Sequence, residues 1–224
     1  MLSLWIFRRL FFVTLMALCG GAFADVFDHP VTAASKVEMS RLLAPMKKFR
    51  GVEGEFKQTK SIKKLNRDFV STGTFNISKK TGVVWKTQKP FPSELTVTDT
   101  SVTERSANGS VRTIATKDNP VFAEFSKVIK AILFGDISEL EKKFKVFYEA
   151  PGEFEMRIGL VPREPAMRKV IANIVMGFSF SLDTSSTPFV PSLNRVLIMD
   201  GDGNPVTYEF LKQTKDIERP LNRL

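Results

Sequence analysis

Histidine, cysteine and clustered carboxylates build most catalytic and metal sites, and this chain is nearly without them. His29 is the only histidine and Cys19 the only cysteine among 224 residues. Cys19 lies in an N-terminal stretch that reads as a leader, so the rest of the chain offers no thiol nucleophile, no Cys–His pair and no disulfide. His29, beside Pro30, reads as a mobile N-terminal residue and not as a ligand. Soft-metal sites need several such ligands together. The run Asp200-Gly201-Asp202-Gly203-Asn204 has the opening of a calcium loop. Pro205 then stands where that loop needs glycine, and Leu211 where it needs a bidentate glutamate, so the run reads as a β-hairpin turn. Gly201 and Gly203 lack the Lys-Ser/Thr that completes a phosphate loop. Asp136 and Glu139 read as charges at a helix start. No catalytic residue, metal ligand or cofactor is expected, and the chain does not read as an enzyme.

What the chain has in abundance is phenylalanine. It holds 20 Phe against 2 Trp and 2 Tyr. Phenylalanine carries no polar handle, so a Phe-rich interior suits packing and equally suits a cavity for acyl chains. The formal net charge is +9, from lysines and arginines scattered along the chain, among them Lys47, Lys48, Lys79, Lys80, Lys142 and Lys143. This reads as a solvated basic surface, with attraction to anionic lipid headgroups or an acidic partner as its functional counterpart. Nucleic acid is not an expected partner, because no binding motif accompanies the charge.

The first 24 residues supply the address. Arg8 and Arg9 are followed by an apolar run from Leu10 to Leu18 and by Ala22-Phe23-Ala24. A basic start, a short apolar core and a small-x-small end describe a secretory signal peptide cut after Ala24. A membrane span needs about 20 apolar residues, roughly twice the run present. Leu18 precedes Cys19 where a lipoprotein signal needs a small residue, so lipid attachment there is disfavoured. Residues 25–224 are expected to form one domain.

The elements follow from spacing. Ser35-Lys36-Val37-Glu38 fits a capping box, so a first helix is expected from Ser35, with Val37, Met39, Leu42, Leu43, Met46 and Phe49 on its apolar side and a kink at Pro45. Strands are expected at Gly54–Lys60, Arg67–Ile77, Thr81–Thr87, Ser93–Asp99, Ser101–Arg105 and Val111–Ile114, the last two joined by Asn108-Gly109. Asn119 and Pro120 open a second helix. Its face carries Val121, Phe122, Phe125, Val128, Ile129, Ile132 and Leu133, and Gly135 ends it. A short helix at Ser138–Lys143 is followed by alternation through Phe144–Tyr148, Phe154–Leu160 and Ile174–Leu182, with Pro165–Asn173 between them as a helical excursion or a long loop. Leu193–Met199 and Val206–Lys212 pair across the Asp200–Asn204 turn. Long strands, each apolar on one face, together with two one-sided helices predict a mainly β chain. The expected fold is an unclosed antiparallel β-barrel, a curved sheet whose concave face takes a helical plug or lid.

Two stretches resemble a known family. Gly54-Glu55-Phe56-Lys57-Gln58 is similar to the G-x-F-x-Q opening of the LolA-type periplasmic lipoprotein carriers. So is Ser71-Thr72-Gly73-Thr74-Phe75-Asn76-Ile77, with Trp85 and Lys89-Pro90-Phe91 behind it. The resemblance implies a LolA/LolB-like fold with an apolar cavity for the acyl chains of a lipoprotein or another lipid. It also implies an inner-membrane donor transporter, an outer-membrane acceptor, transient membrane contact, a monomer, and a location in the periplasm. Under it, Leu42, Met46, Phe56, Phe75, Trp85, Phe122, Phe125, Val128, Ile129 and Ile132 are the expected lipid-binding residues. The family has an Arg-Pro pair whose arginine ties the lid shut; Lys79 and Lys80 occupy the matching positions here, which makes Lys79 the lid-closing candidate. Lysine lacks the planar fork of arginine. The alternative is an accessory protein or enzyme of a surface-lipid or aryl-polyene pathway on the same fold. Intact mass of the exported protein should correspond to a chain beginning at Asp25; retention of residues 1–24, or a diacylglycerol on Cys19, counts against this address.

Overall fold

Period-two alternation becomes eleven strands in one antiparallel sheet. The structure is a computed structural model and describes residues 25–115, 131, 132, 134–183 and 187–217; of 181–183 and 187–189 only the backbone is described. The expected leader, and the Pro120–Phe134 helix apart from its end, lie outside these residues. The strands are β1 (Phe49–Ile62), β2 (Arg67–Ser78), β3 (Gly82–Lys89), β4 (Ser93–Val97), β5 (Ser101–Ser106) and β6 (Val111–Ala115), then β7 (Phe144–Gly152), β8 (Glu155–Pro162), β9 (Ile171–Asp183), β10 (Thr187–Asp200) and β11 (Pro205–Ile217). Their order across the sheet is β6-β5-β4-β3-β2-β1-β11-β10-β9-β8-β7. Every neighbour is a hairpin partner except one. The two meanders join only where β1 meets β11, with Val52 opposite Lys215, Phe56 opposite Phe210 and Gln58 opposite Tyr208. Bulges between Phe49 and Gly51 and between Glu53 and Glu55 interrupt this seam, and bulges add local twist and bend. β6 and β7 are the two ends of the order, so the sheet is curved and unclosed.

The helices differ from expectation at their starts. Helix α1 spans Ala33–Leu43 and is capped by Thr32, whose hydroxyl accepts from the Ser35 amide while Ser35 Oγ accepts from the Thr32 amide. Ser35 therefore closes the box from the third helical position instead of opening it. Val37 is exposed, and Phe49 belongs to β1. Pro45 does not kink α1 but falls early in a separate 3₁₀ segment, Ala44–Lys48, a place where a missing amide costs nothing. Ala131 and Ile132 are helical, and Gly135, at φ +67°, turns the chain as expected. Helix α2 (Ile137–Lys143) is capped by Asp136, which accepts from the Glu139 amide at 3.2 Å. The ambiguous Pro165–Asn173 stretch resolves into one helical turn, α3 (Pro165–Arg168), and the start of β9.

The core lies on the concave face. Met39, Leu43 and Met46 meet Phe134, Ile137 and Leu140 there, over Met156, Ile158, Leu160 and Met176 of the sheet. The Asp200–Asn204 run is the hairpin turn it was expected to be: the Asp200 carboxylate accepts from the amides of Asp202 and Asn204, at 3.0 and 2.7 Å. The Asn204 amide foremost holds that carboxyl below its usual range.

His29 corrects an expectation. It is not loose: its carbonyl accepts from the Tyr148 amide at 2.9 Å, and the Val31 amide donates to the Val146 carbonyl at 3.2 Å. The segment around Pro30 thus lines the free edge of β7. Phe27 anchors it, with its ring 5.4 Å from that of Phe147. The edge would otherwise offer unpaired backbone groups to another strand.

Tyr148 is the one buried side-chain polar group without a hydrogen bond among the described residues. Burial first, and then the Glu38 carboxylate, push its phenol up to about 12, although no bond of acceptable geometry reaches the oxygen. Folding therefore holds the proton, and stability is lost as pH rises from 10.0 through about 12. Tyr148→Phe removes an unsatisfied hydroxyl and should match or exceed the parent by about 1 kcal/mol. Urea unfolding at about pH 9 and about pH 11.5 checks it: the variant should lose less stability between the two than the parent, and an equal loss would show that Tyr148 does not titrate in this way.

Candidate functional site

The two motif glycines explain the two motif phenylalanines. In the β1–β2 register Gly54 faces Phe75 and Phe56 faces Gly73, so each ring lies across a glycine of the other strand. A Cβ on Gly73 would stand 2.9 Å from Cε1 of Phe56 and 1.9 Å from the Lys86 carbonyl oxygen. A Cβ on Gly54 would stand 3.1 Å from the Phe75 ring and 2.8 Å from the Leu211 carbonyl oxygen. Only glycine leaves room for both the ring and the adjacent strand.

Three neighbours complete an aromatic platform across β3, β2, β1 and β11. Trp85 lies opposite Phe75 in the register, with its ring centroid 4.1 Å from Phe56 and 5.9 Å from Phe75. Phe210 meets Phe75 edge-on at 5.2 Å, and Tyr208 meets Trp85 edge-on at 5.6 Å. Apart from the tighter Phe56–Trp85 pair, these separations and tilts are those aromatic pairs prefer. Phe56 and Phe75 are buried, whereas Trp85, Tyr208 and Phe210 keep part of their surface open. Burial raises the Tyr208 phenol above its ordinary value.

The opposite face of the same strands is charged. Lys57 pairs with Glu209 at 3.1 Å, Lys86 with Glu94 at 3.0 Å and Lys212 with Glu55 at 2.9 Å. The first two join register partners on adjacent strands. The sheet thus has one wet and one apolar face.

Of the residues expected to bind lipid, the structure brings Phe56, Phe75 and Trp85 into ring contact. Met46 and Ile132 are buried, and Leu42 packs half-buried against the same core. Phe122, Phe125, Val128 and Ile129 lie outside the described residues. Lys79, at the β2–β3 turn, donates to the Lys47 carbonyl at 2.6 Å and stands 5.1 Å from the centroid of the Phe134 ring. It thus ties the turn to the 3₁₀ segment behind α1 through one hydrogen bond. Tyr208, Phe210 and Lys215 were not among the expected site residues. The alternation of Tyr208 and Phe210 along β11 was visible, but nothing local says which strand they join, and Lys215 reaches this face only through the bulge in the β1–β11 register. Lys215 is half-buried, with Nζ 2.5 Å from Ser192 Oγ and 5.8 Å from the Phe49 ring centroid, and burial lowers its pKa.

Comparison with known proteins bears on this face. The family described as "Outer membrane lipoprotein carrier protein LolA" matches residues 47–220. No curated protein matches the chain. Among solved structures, a putative outer membrane lipoprotein-sorting protein domain from Vibrio parahaemolyticus aligns at 6% identity and a TM-score of 0.43, covering 88% of this chain and 96% of that one. A LolA superfamily protein from Nitrosomonas europaea aligns at 10% identity and 0.39, covering 85% and 96%. LprF from Mycobacterium bovis aligns at 12% identity and 0.39, covering 87% and 97%. At such identities and scores these likenesses do not say what this chain binds.

Gly73→Ala should cost about 1–3 kcal/mol or more, because the clash is with strand backbone and cannot be relieved by a rotamer. Gly152→Ala, with nothing within 4 Å of the added carbon, should stay within about 0.5 kcal/mol of the parent. Equal unfolding midpoints for the two variants would refute the ring-over-glycine account.

Proposed function

The chain belongs to the LolA family of outer membrane lipoprotein carriers, and from that premise we propose that it carries acyl chains through the periplasm, shielding them on its concave face. The observation that carries this reading is the platform of Phe56, Phe75, Trp85, Tyr208 and Phe210, three of whose rings remain partly open on an unclosed sheet. An acyl chain needs apolar contact and no polar recognition. Burying each methylene contributes about 0.8 kcal/mol, so one long chain supplies most of a useful affinity. The residues expected outside the described part, Phe122, Phe125, Val128 and Ile129, belong to the same proposal as further lining. So does the route from an inner-membrane donor to an outer-membrane acceptor, with the protein acting as a monomer.

Lys79 is the proposed latch. Its amine holds the Lys47 carbonyl at a single point, where a guanidinium would offer several donors in a fixed fork. Lys79 is exposed and water screens the contact, so it contributes about 1 kcal/mol or less, enough to bias closure and small enough for an acceptor membrane to overcome.

Three variants test the reading. Phe210→Ser removes a half-open ring and should weaken binding of an apolar dye or fluorescent fatty acid about tenfold, which is about 1.4 kcal/mol, with the strand signal in circular dichroism retained. Lys79→Arg should slow transfer of bound cargo to acceptor membranes, and Lys79→Ala should speed it. Parent-like binding by folded Phe210→Ser counts against the platform; parent-like transfer by both Lys79 variants makes that residue a bystander.

A further inference from the structure

A cavity of about 640 Å³ opens where β1, β2 and β11 meet the β2–β3 turn, and charged residues line much of it: Arg50, Lys79, Lys80 and Lys215 against Glu53 and Asp216. Both carboxylates are already engaged. Asp216 accepts from Arg50 at 2.7 Å, and Glu53 accepts from the Asn76 amide nitrogen at 3.0 Å. The three lysines have no such partner: among the described residues none of them pairs with a carboxylate. Lys79 spends its amine on the Lys47 carbonyl and Lys215 on the Ser192 hydroxyl, both neutral oxygens.

The placement of these amines relative to the core matters as much as their number. Lys215 faces Val52, a core residue, across the β1–β11 seam, and its amine stands over the buried Phe49 ring. The Lys79 amine stands over the buried Phe134 ring. Ammonium groups at the rim with apolar rings directly beneath them match an amphiphile that has an anionic head and apolar chains. Three amines without a paired carboxylate among the described residues, around one cavity, raise the local potential and attract an anion. The half-buried Lys215, whose charge burial disfavours, is the amine that gains most from a bound counter-charge.

We infer that this cavity binds the anionic headgroup, phosphate or carboxylate, of the lipid whose chains the concave face covers. The inference rests on the carrier reading and narrows it: the preferred cargo carries a negative headgroup, which an uncharged or zwitterionic lipid of equal chain length lacks. A free inorganic anion shares the chemistry and is the competing source.

The test uses pyrene-labelled phosphatidylglycerol and phosphatidylcholine with identical acyl chains, titrated into the protein at low salt, with inorganic phosphate alone as a third probe. Phosphatidylglycerol should bind about tenfold more tightly than phosphatidylcholine, as one charge-assisted contact allows. Lys80→Gln with Lys215→Gln should erase that preference, lowering phosphatidylglycerol affinity by much more than phosphatidylcholine affinity, and Lys215→Arg should keep it. Equal affinity of the parent for the two lipids overturns the headgroup site and leaves the carrier reading standing. Failure to bind either lipid or an apolar dye overturns both. A preference that survives in the double variant overturns the assignment to these lysines. Equal lipid affinities together with measurable phosphate binding reassign the cavity to a free anion. Should the double variant unfold, the comparison of the two lipids on the parent still decides.

Discussion

A phenylalanine ring and the glycine across the strand from it occupy space that two ordinary side chains would contest. Phe56 over Gly73 and Phe75 over Gly54 make this arrangement twice, in mirror order, because the same two strands supply both members. The consequence is register. Slipping β1 against β2 by one residue would turn every β1 side chain to the other face and place Phe56 in water, away from Phe75. With that register held, Trp85 comes opposite Phe75, and the seam sets Phe210 opposite Phe56. The Lys86 carbonyl fills the space where a Gly73 side chain would stand, so the glycine also sets how closely β3 approaches. The apolar platform is therefore built on two absent side chains as much as on five aromatic ones.

The outer face and the edges keep this sheet open without making it adhesive. Cross-strand ion pairs such as Lys57–Glu209 and Lys86–Glu94 are half-exposed and contribute little to stability one by one. Their effect is to label one face as outward, since burying such a row would be costly. At one edge the backbone around Pro30 takes up hydrogen bonds of β7. At the other, β6 is short, and Val111, Arg112 and Thr113 are exposed. A short strand and a covered one are two ways of leaving a sheet unclosed without inviting a further strand.

At the mouth, lysines lay their amines over phenylalanine rings and reach neutral oxygens. Lys79 over Phe134 and Lys215 over Phe49 share this geometry. Long lysine stems cover apolar surface while keeping the charged head near polar atoms. An amine so placed is held weakly by its own protein and remains available to a stronger acceptor. The hold on the 3₁₀ segment and the proposed hold on a headgroup are thus neighbouring uses of one chemistry, and a ligand that engages one amine bears on the other through their shared cavity.

Much of this was legible along the chain because it is local. Alternation of period two located the strands, Gly135 and Asp136 marked a helix end and the next helix start, and the near absence of histidine and cysteine directed attention to apolar binding. Where local reading erred, a neighbour of similar chemistry won: Thr32 took the cap that Ser35 could have made, and Phe49, at helical spacing from Met46, went into β1. His29 read as loose because the strand that docks against it lies more than a hundred residues away. The same limit hid half of the site. Tyr208 and Phe210 alternate inward in any reading of β11, whereas Lys215, of opposite parity, reaches the same face only past the bulge opposite Glu53–Glu55; their neighbours Phe56 and Val52 come from β1, at the far end of the chain. Sequence by itself determined which residues turn to the apolar face wherever a strand runs without a bulge, because that depends on spacing within one strand. Only the tertiary structure decided which of those faces adjoin, because the β1–β11 seam is set by the closure of two meanders around one core and by no signal within either strand.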